Sequence, residues 1–123
     1  MLGELGAGVE DLGTGSEEST DYPDYAHAVS STVSEGKVRF GVLVCGSGVG
    51  MSIAANRHPA VRAALCTDSY TARLCREHND ANILCLGARV VGVGLAEEIL
   101  RVFLTTSFEG GRHQRRVGKI ELQ

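Results

Sequence analysis

The chain has 123 residues, 43% hydrophobic and 22% charged, which suits one folded domain and excludes a disordered chain. No apolar run approaches membrane-spanning length, and the first residues lack the basic-then-apolar pattern of a secretory leader, so a soluble, cytoplasmic protein is expected. The net charge of −3 is uneven: residues 1–36 carry eight acids and no Lys or Arg, leaving twelve basic residues against seven acids in the remainder. Much of the basic excess sits near the C-terminus, in Arg112, His113, Arg115, Arg116 and Lys119. Nucleic-acid binding calls for a broader basic face and for stacking aromatics, and only 5% of residues are aromatic. A compact basic cluster suits a small anion better, and neither nucleic acid nor membrane is an expected partner.

Met1 to Gly8 has little pattern, and Val9–Leu12 reads as a short strand closed by Gly13-Thr-Gly-Ser16. Asp21-Tyr-Pro-Asp24 reads as a helix start, because proline is tolerated in the first turn and acids there oppose the helix dipole. Tyr25, Ala28, Val29, Thr32 and Val33 follow at helical spacing until Gly36. Val38 to Cys45 is an apolar strand, and Met51 to Asn56 a helix stopped by Arg57-His-Pro59. Val61 to Cys66 is the next strand, and Thr67 or Asp68 caps a helix to about Glu77. His78-Asn-Asp80 forms a polar loop before the strand Asn82–Leu86. After a turn at Gly87 to Gly94, Leu95, Ile99, Val102 and Phe103 give a helix an apolar stripe. Phe108-Glu-Gly-Gly111 breaks it, and residues 112 to about 122 form a last helix. Strands alternating with helices imply a parallel sheet covered on both faces, with ligands at the carboxyl ends of its strands. Cys45, Asp68 and Gly87 fall at such ends.

Between the first strong strand and its helix lies Cys45-Gly-Ser-Gly-Val-Gly50. Its glycines allow a tight turn and close approach of a ligand to the backbone, and a helix start supplies amides for a phosphate or a developing oxyanion. A cysteine just before a helix is favoured as thiolate and suits a proton-transfer base. Taken alone, the residues leave Cys45 open to a plain packing role and the loop to a plain turn. The loop is not the dinucleotide fingerprint, since Met51 holds the place of that motif's third glycine. Asp68 lies where a ribose-binding acid would stand, although helix capping explains it equally. Cys66, Cys75 and Cys85 read as core thiols in a reducing compartment; no C-x-x-C pair or zinc spacing occurs. His78 is either a surface histidine or an acid–base group, with Asn79 and Asp80 open to a simple turn. Arg112 and Arg116, four apart, share a helix face that could clamp a phosphate or stay solvated. His113 and Arg115 receive no role.

The segments DYPDYA (21–26), CGSGVGMSIAANR (45–57), REHNDAN (76–82), LGARVVG (86–92) and EGGRHQRRV (109–117) resemble type B ribose-5-phosphate isomerase and the related galactose-6-phosphate isomerase subunits. The similarity runs from about residue 9 in the family's order. It implies a Rossmann-like three-layer α/β/α sandwich with a parallel sheet. It also implies metal-free, cofactor-free aldose–ketose isomerisation of a small phosphorylated sugar, and a homodimer or tetramer with an active site shared between subunits.

By that resemblance Cys45 is the base that moves a proton between the sugar's first two carbons. Gly46, Ser47, Gly48, Val49 and Gly50 hold the enediolate, with the Ser47 hydroxyl assisting. His78 helps to open the furanose ring, Asn79 binds substrate, Arg112 and Arg116 hold the phosphate, and Tyr22 and Arg89 line the pocket. Family members begin with a strand ending in an Asp-His pair that is absent here, so residues 1–123 read as a single isomerase domain shortened at its N-terminus. Loss of that strand would expose two strand edges in the sheet, so the two readings are a start that is misassigned or cloned late, and a shortened form with impaired activity. The function expected is interconversion of ribose 5-phosphate and ribulose 5-phosphate. The alternatives are a galactose-6-phosphate-type isomerase subunit and a catalytically silent phosphosugar-binding module.

Overall fold

The computed structural model describes residues 21–122, so the strand expected at Val9–Leu12 lies outside it. Three strands, β1 (Gly41–Cys45), β2 (Ala63–Leu65) and β3 (Ile83–Gly87), form one parallel sheet in the order β1-β3-β2. The centre falls to Ile83-Leu-Cys-Leu-Gly87 because that segment carries no polar side chain, and all five residues are buried. Gly41 pairs with Ile83 and Cys45 with Gly87 along one edge of β3, and Ala63 with Ile83 along the other. Among the described residues β1 and β2 are the sheet's two edges.

Alternation along β3 divides the core. Leu84 and Leu86 face one side, where α3 (Ser69–Glu77) and α4 (Val93–Thr105) supply Ala72, Cys75, Ile99 and Phe103. Ile83 and Cys85 face the other, against Ala26 and Val33 of α1 (Tyr22–Ser34) and Met51 and Ala55 of α2 (Val49–Ala55). The result is the α/β/α layering expected, with helices on both faces. A last helix, α5 (Arg112–Gly118), packs through Val117.

Most helix signals act as read. Proline stands in the first turn of α1, and Gly36 takes φ +75° while its N–H bonds Val33 O at 3.0 Å. Asp68 caps α3 by accepting from Thr71 N–H at 2.7 Å, which holds its carboxyl below the usual range and accounts for the residue without a ribose. Several details differ, among them the second strand, which spans Ala63–Leu65 rather than Val61 to Cys66. The first described strand starts at Gly41 rather than Val38; Phe40, just before it, packs edge-on against Phe103 with centroids 5.4 Å apart. Leu95, in the first turn of α4, stays 39% exposed while Ile99 and Phe103 are fully buried. α5 stops at Gly118, where the next two amides bond only three residues back.

The loop between α3 and β3 is held by charge. Arg76 is 1% exposed; its guanidinium donates to Ala81 O at 2.7 Å, to Thr106 O at 3.2 Å and to Asp80 Oδ1 at 2.9 Å. Its flat face lies 4.9 Å from the Phe40 ring centroid. Arg62 reaches the same Asp80 from β2's side, through its carbonyl at 2.8 Å and its carboxylate at 3.4 Å. Nε and Nη1 are thus paired with a carbonyl at the end of α4 and with the loop's own carbonyl and acid, while Nη2 is buried without a partner among the described residues. The loop that presents His78 and Asn79 is thereby braced from two sides.

Phe103 ties this bracing to the core, since Phe40 and Arg76 both pack on it. Phe103→Ala should destabilise the fold by about 3–5 kcal/mol, the usual cost of emptying a buried aromatic site. Urea unfolding followed by far-ultraviolet circular dichroism would measure it.

Candidate active site

Cys45 ends β1 beside the turn that follows β3. Ala88 N–H donates to Cys45 O at 2.8 Å and Arg89 N–H to Gly46 O at 3.0 Å, so the turn is laced to the cysteine loop by backbone bonds. Gly87 makes this possible: a Cβ there would stand 2.6 Å from Ser47 O and 2.7 Å from its carbonyl carbon. Gly48 is required for a second reason, since it takes φ +80° with Leu65 and the Leu86 backbone packed against it.

The loop is preorganised around the sulfur. Gly48 N–H points at Cys45 Sγ at 3.2 Å, and Val49 N–H donates to Ser47 Oγ at 3.2 Å. The amides of Gly46 and Ser47 make no hydrogen bond to any described residue, so they are available to an oxyanion beside the thiol. Tyr22 lies over Gly50, where an added Cβ would meet the phenol at 2.5 Å. The Arg89 side chain lies over Gly46 in ordinary contact. Cys45, Gly46, Ser47, Gly48, Val49, Gly50, Tyr22 and Arg89 thus form one cluster, as expected.

The remaining candidates form a second cluster elsewhere. His78 caps the C-terminus of α3, before β3 begins, and so lies at the amino end of the strand whose carboxyl end touches the Cys45 loop. A hollow of about 330 Å³ is lined there by His78, Asn79, His113, Arg116, Val117 and Ile120. Arg116 borders it as read, whereas Arg112, one turn earlier on α5, stands beside His113 rather than among the lining residues. Within one chain, Cys45, expected as the base, and Arg112 and Arg116, expected to hold the phosphate, are not brought together.

Two residues of this cluster carry no role in the sequence reading. The His113 ring stacks on that of His78, centroids 4.3 Å apart and planes 11° from parallel. Glu109 Oε1 lies 3.3 Å from His78 Nε2 and 3.7 Å from His113 Nε2. Burial and the nearby charges of His78 and Arg112 lower the His113 proton affinity, against a rise from Glu109. The usable signal was Val117: it is the apolar residue of α5, and His113 lies one turn before it on the same face.

His78, Glu109 and His113 offer three potential ligand atoms within 4.8 Å of one another. An ion must lie close to the plane of each imidazole that binds it, and two nearly parallel stacked planes share no such point. The pair as arranged suits proton transfer, not metal ligation.

The other three cysteines are packing groups, as read. Cys66, Cys75 and Cys85 are buried; burial, with the Cys45 charge second, pushes the Cys85 thiol up to about 12. Only Cys45 is partly open among the four.

Since the Ser47 backbone cannot move away cheaply, Gly87→Ala should displace the cysteine loop. The variant is expected to lose about 1–3 kcal/mol of stability and to turn over about 100-fold more slowly. Thermal unfolding and steady-state rates on the same preparation would check both.

Comparison with known proteins places this arrangement. The profile of the ribose/galactose isomerase family matches residues 1–120. Ribose-5-phosphate isomerase B of Escherichia coli is 51% identical over 119 residues, covering 97% of this chain and 80% of that protein. A putative sugar phosphate isomerase of Bacillus subtilis is 54% identical over 110 residues, covering 89% of this chain and 72% of that protein. The solved ribose-5-phosphate isomerase B of Clostridium thermocellum superposes with a TM-score of 0.94 at 54% identity, over 97% of this chain and 80% of that one. With a matching profile, relatives at this identity and the same open parallel sheet between helices, the chain belongs to the ribose/galactose isomerase family.

Proposed function

We propose that this chain interconverts ribose 5-phosphate and ribulose 5-phosphate, with Cys45 as the base and each active site assembled from two copies of the chain. The observation that carries the two-copy site is the separation of the half-sites. Cys45 with its amide loop lies at the carboxyl ends of the strands, while His78, Asn79 and Arg116 line a hollow at the amino end of β3. A sugar phosphate is too short to reach from one to the other around the sheet. A second copy that presents its amino-end cluster to the first copy's Cys45 loop would complete the site. The surface around that loop supports this: Val44, Val49, Ile53, Val90 and Val93 are exposed large apolar side chains. A homodimer is the smallest assembly that satisfies this geometry, and a tetramer would repeat it.

The chemistry follows from the groups present. His78 assists opening of the furanose by exchanging a proton with the ring oxygen, and Asn79 holds the freed sugar. Cys45 takes the proton from C2 of the open aldose, and the electron pair moves to the C1 oxygen to give an enediolate. The amides of Gly46 and Ser47, with the Ser47 hydroxyl, meet the charge on its oxygens. Transfer of the 2-hydroxyl proton to the C1 oxygen and return of the C2 proton to C1 yield the ketose, so no electron acceptor is needed. Arg116 and Arg112 grip the phosphate, and Arg89 and Tyr22 close the side of the pocket above the loop. We place this chemistry in the cytoplasm; among the described residues no helix is long and apolar enough to cross a membrane.

Cys45→Ala should abolish exchange of the C2 proton with solvent deuterium while inorganic phosphate still binds; full turnover in that variant removes Cys45 from the base role. Mixing inactive Cys45→Ala with inactive Arg116→Ala, after dissociation and reassociation, should restore about a quarter of wild-type activity, because half the dimers pair unlike chains and each of those holds one intact site. No recovery on mixing would refute the two-copy site.

A further inference from the structure

We propose that Glu109 is a positioning residue of the isomerase site, its carboxylate holding the imidazoles of both His78 and His113. This rests on the function proposed above. Three separate observations support it. One oxygen, Oε1, faces Nε2 of both rings, at 3.3 Å for His78 and 3.7 Å for His113. The rings are stacked 11° from parallel, an arrangement in which both present the same edge to a single acceptor. The backbone of Glu109 is itself fixed, its N–H donating to Glu77 O at 3.0 Å, one residue before His78. Gly110 and Gly111, at φ +72° and +57°, then turn the chain so that α5 carries His113 back over His78.

With Nε2 of each ring the nitrogen near the carboxylate, at ion-pair distance, Nδ1 is the nitrogen left to exchange a proton with a sugar in the hollow. The carboxylate fixes the tautomer and favours the protonated imidazole. Glu109 and His113 face His78; His78, Arg112, Arg116 and Glu109 face His113. Of the charges around His113, Glu109 alone raises its proton affinity; His78, Arg112 and Arg116 lower it. Removing the carboxylate charge therefore leaves His113 only groups that expel the proton, and that ring should titrate at lower pH.

The test is Glu109→Gln in the full chain, which keeps the shape and an acceptor oxygen but not the charge. Imidazole proton resonances followed against pH should show His113 titrating at lower pH than in the wild type, because the one charge that raises its proton affinity is gone. The kcat/KM profile against pH should change shape as well, because the ring that assists furanose opening is no longer held by a charged carboxylate. A merely structural Glu109 would move neither, and an unchanged His113 titration in Glu109→Gln overturns the proposal. A moved titration with an unchanged kcat/KM profile overturns its link to catalysis. The titration is read without substrate, so it decides the positioning role even if the wild type fails to turn over ribose 5-phosphate, which would be the failure of the isomerase function alone.

Discussion

Because β1, β2 and β3 run in one direction, whatever follows a strand is separated from whatever precedes one by the length of the sheet, about 16 Å for five residues. The chain places its chemistry on both sides of that separation. Cys45 follows β1, and His78 precedes β3, which lies directly beside β1. The register that pairs Cys45 with Gly87 holds the two half-sites apart as firmly as it holds the loop together. No side-chain rotation closes such a gap within one chain, and that separation is what motivates the two-copy site proposed above.

Each half is made rigid by a different kind of interaction. At the carboxyl ends, backbone meets backbone: Gly87 lies against Ser47, and the amides of Ala88 and Arg89 bond the carbonyls of Cys45 and Gly46. The contact depends on the absence of a single Cβ. At the amino end the means are electrostatic, with Arg76 and Arg62 converging on Asp80 and Arg76 shielded by aromatic rings. The Arg76–Asp80 bond sits in a low-dielectric surrounding, while Asp80 keeps one side toward water, so the pair avoids the full cost of burying both charges.

The four thiols show how environment separates chemistry from packing. Cys66 and Cys75 touch each other, sulfur to sulfur, at 3.9 Å inside the α3/α4 core, and Cys75 donates to Ala72 O at 3.1 Å. Contact with Cys75 and burial raise Cys66 far above the ordinary thiol range, and burial raises Cys85. Such groups stay protonated and act as small hydrophobes. Cys45 differs by standing at a strand end with an amide directed at its sulfur.

Local pattern alone determined the alternation of strands and helices, the cap at the start of α3, and the glycine loop with its cysteine. These depend on residues close in sequence, whose periodicity and turn chemistry are independent of distant partners. Tyr22 and Arg89 came to that loop only through the family resemblance. The tertiary structure decided what needs residues brought from afar. It set Phe40 against Phe103 and Arg76, and it chose the shorter α5. It set His113 and Glu109 against His78 across some thirty positions of chain. It also placed Cys45 and Arg116 at opposite ends of the sheet, because strand order and direction come from packing both faces of β3 at once, which no local stretch encodes.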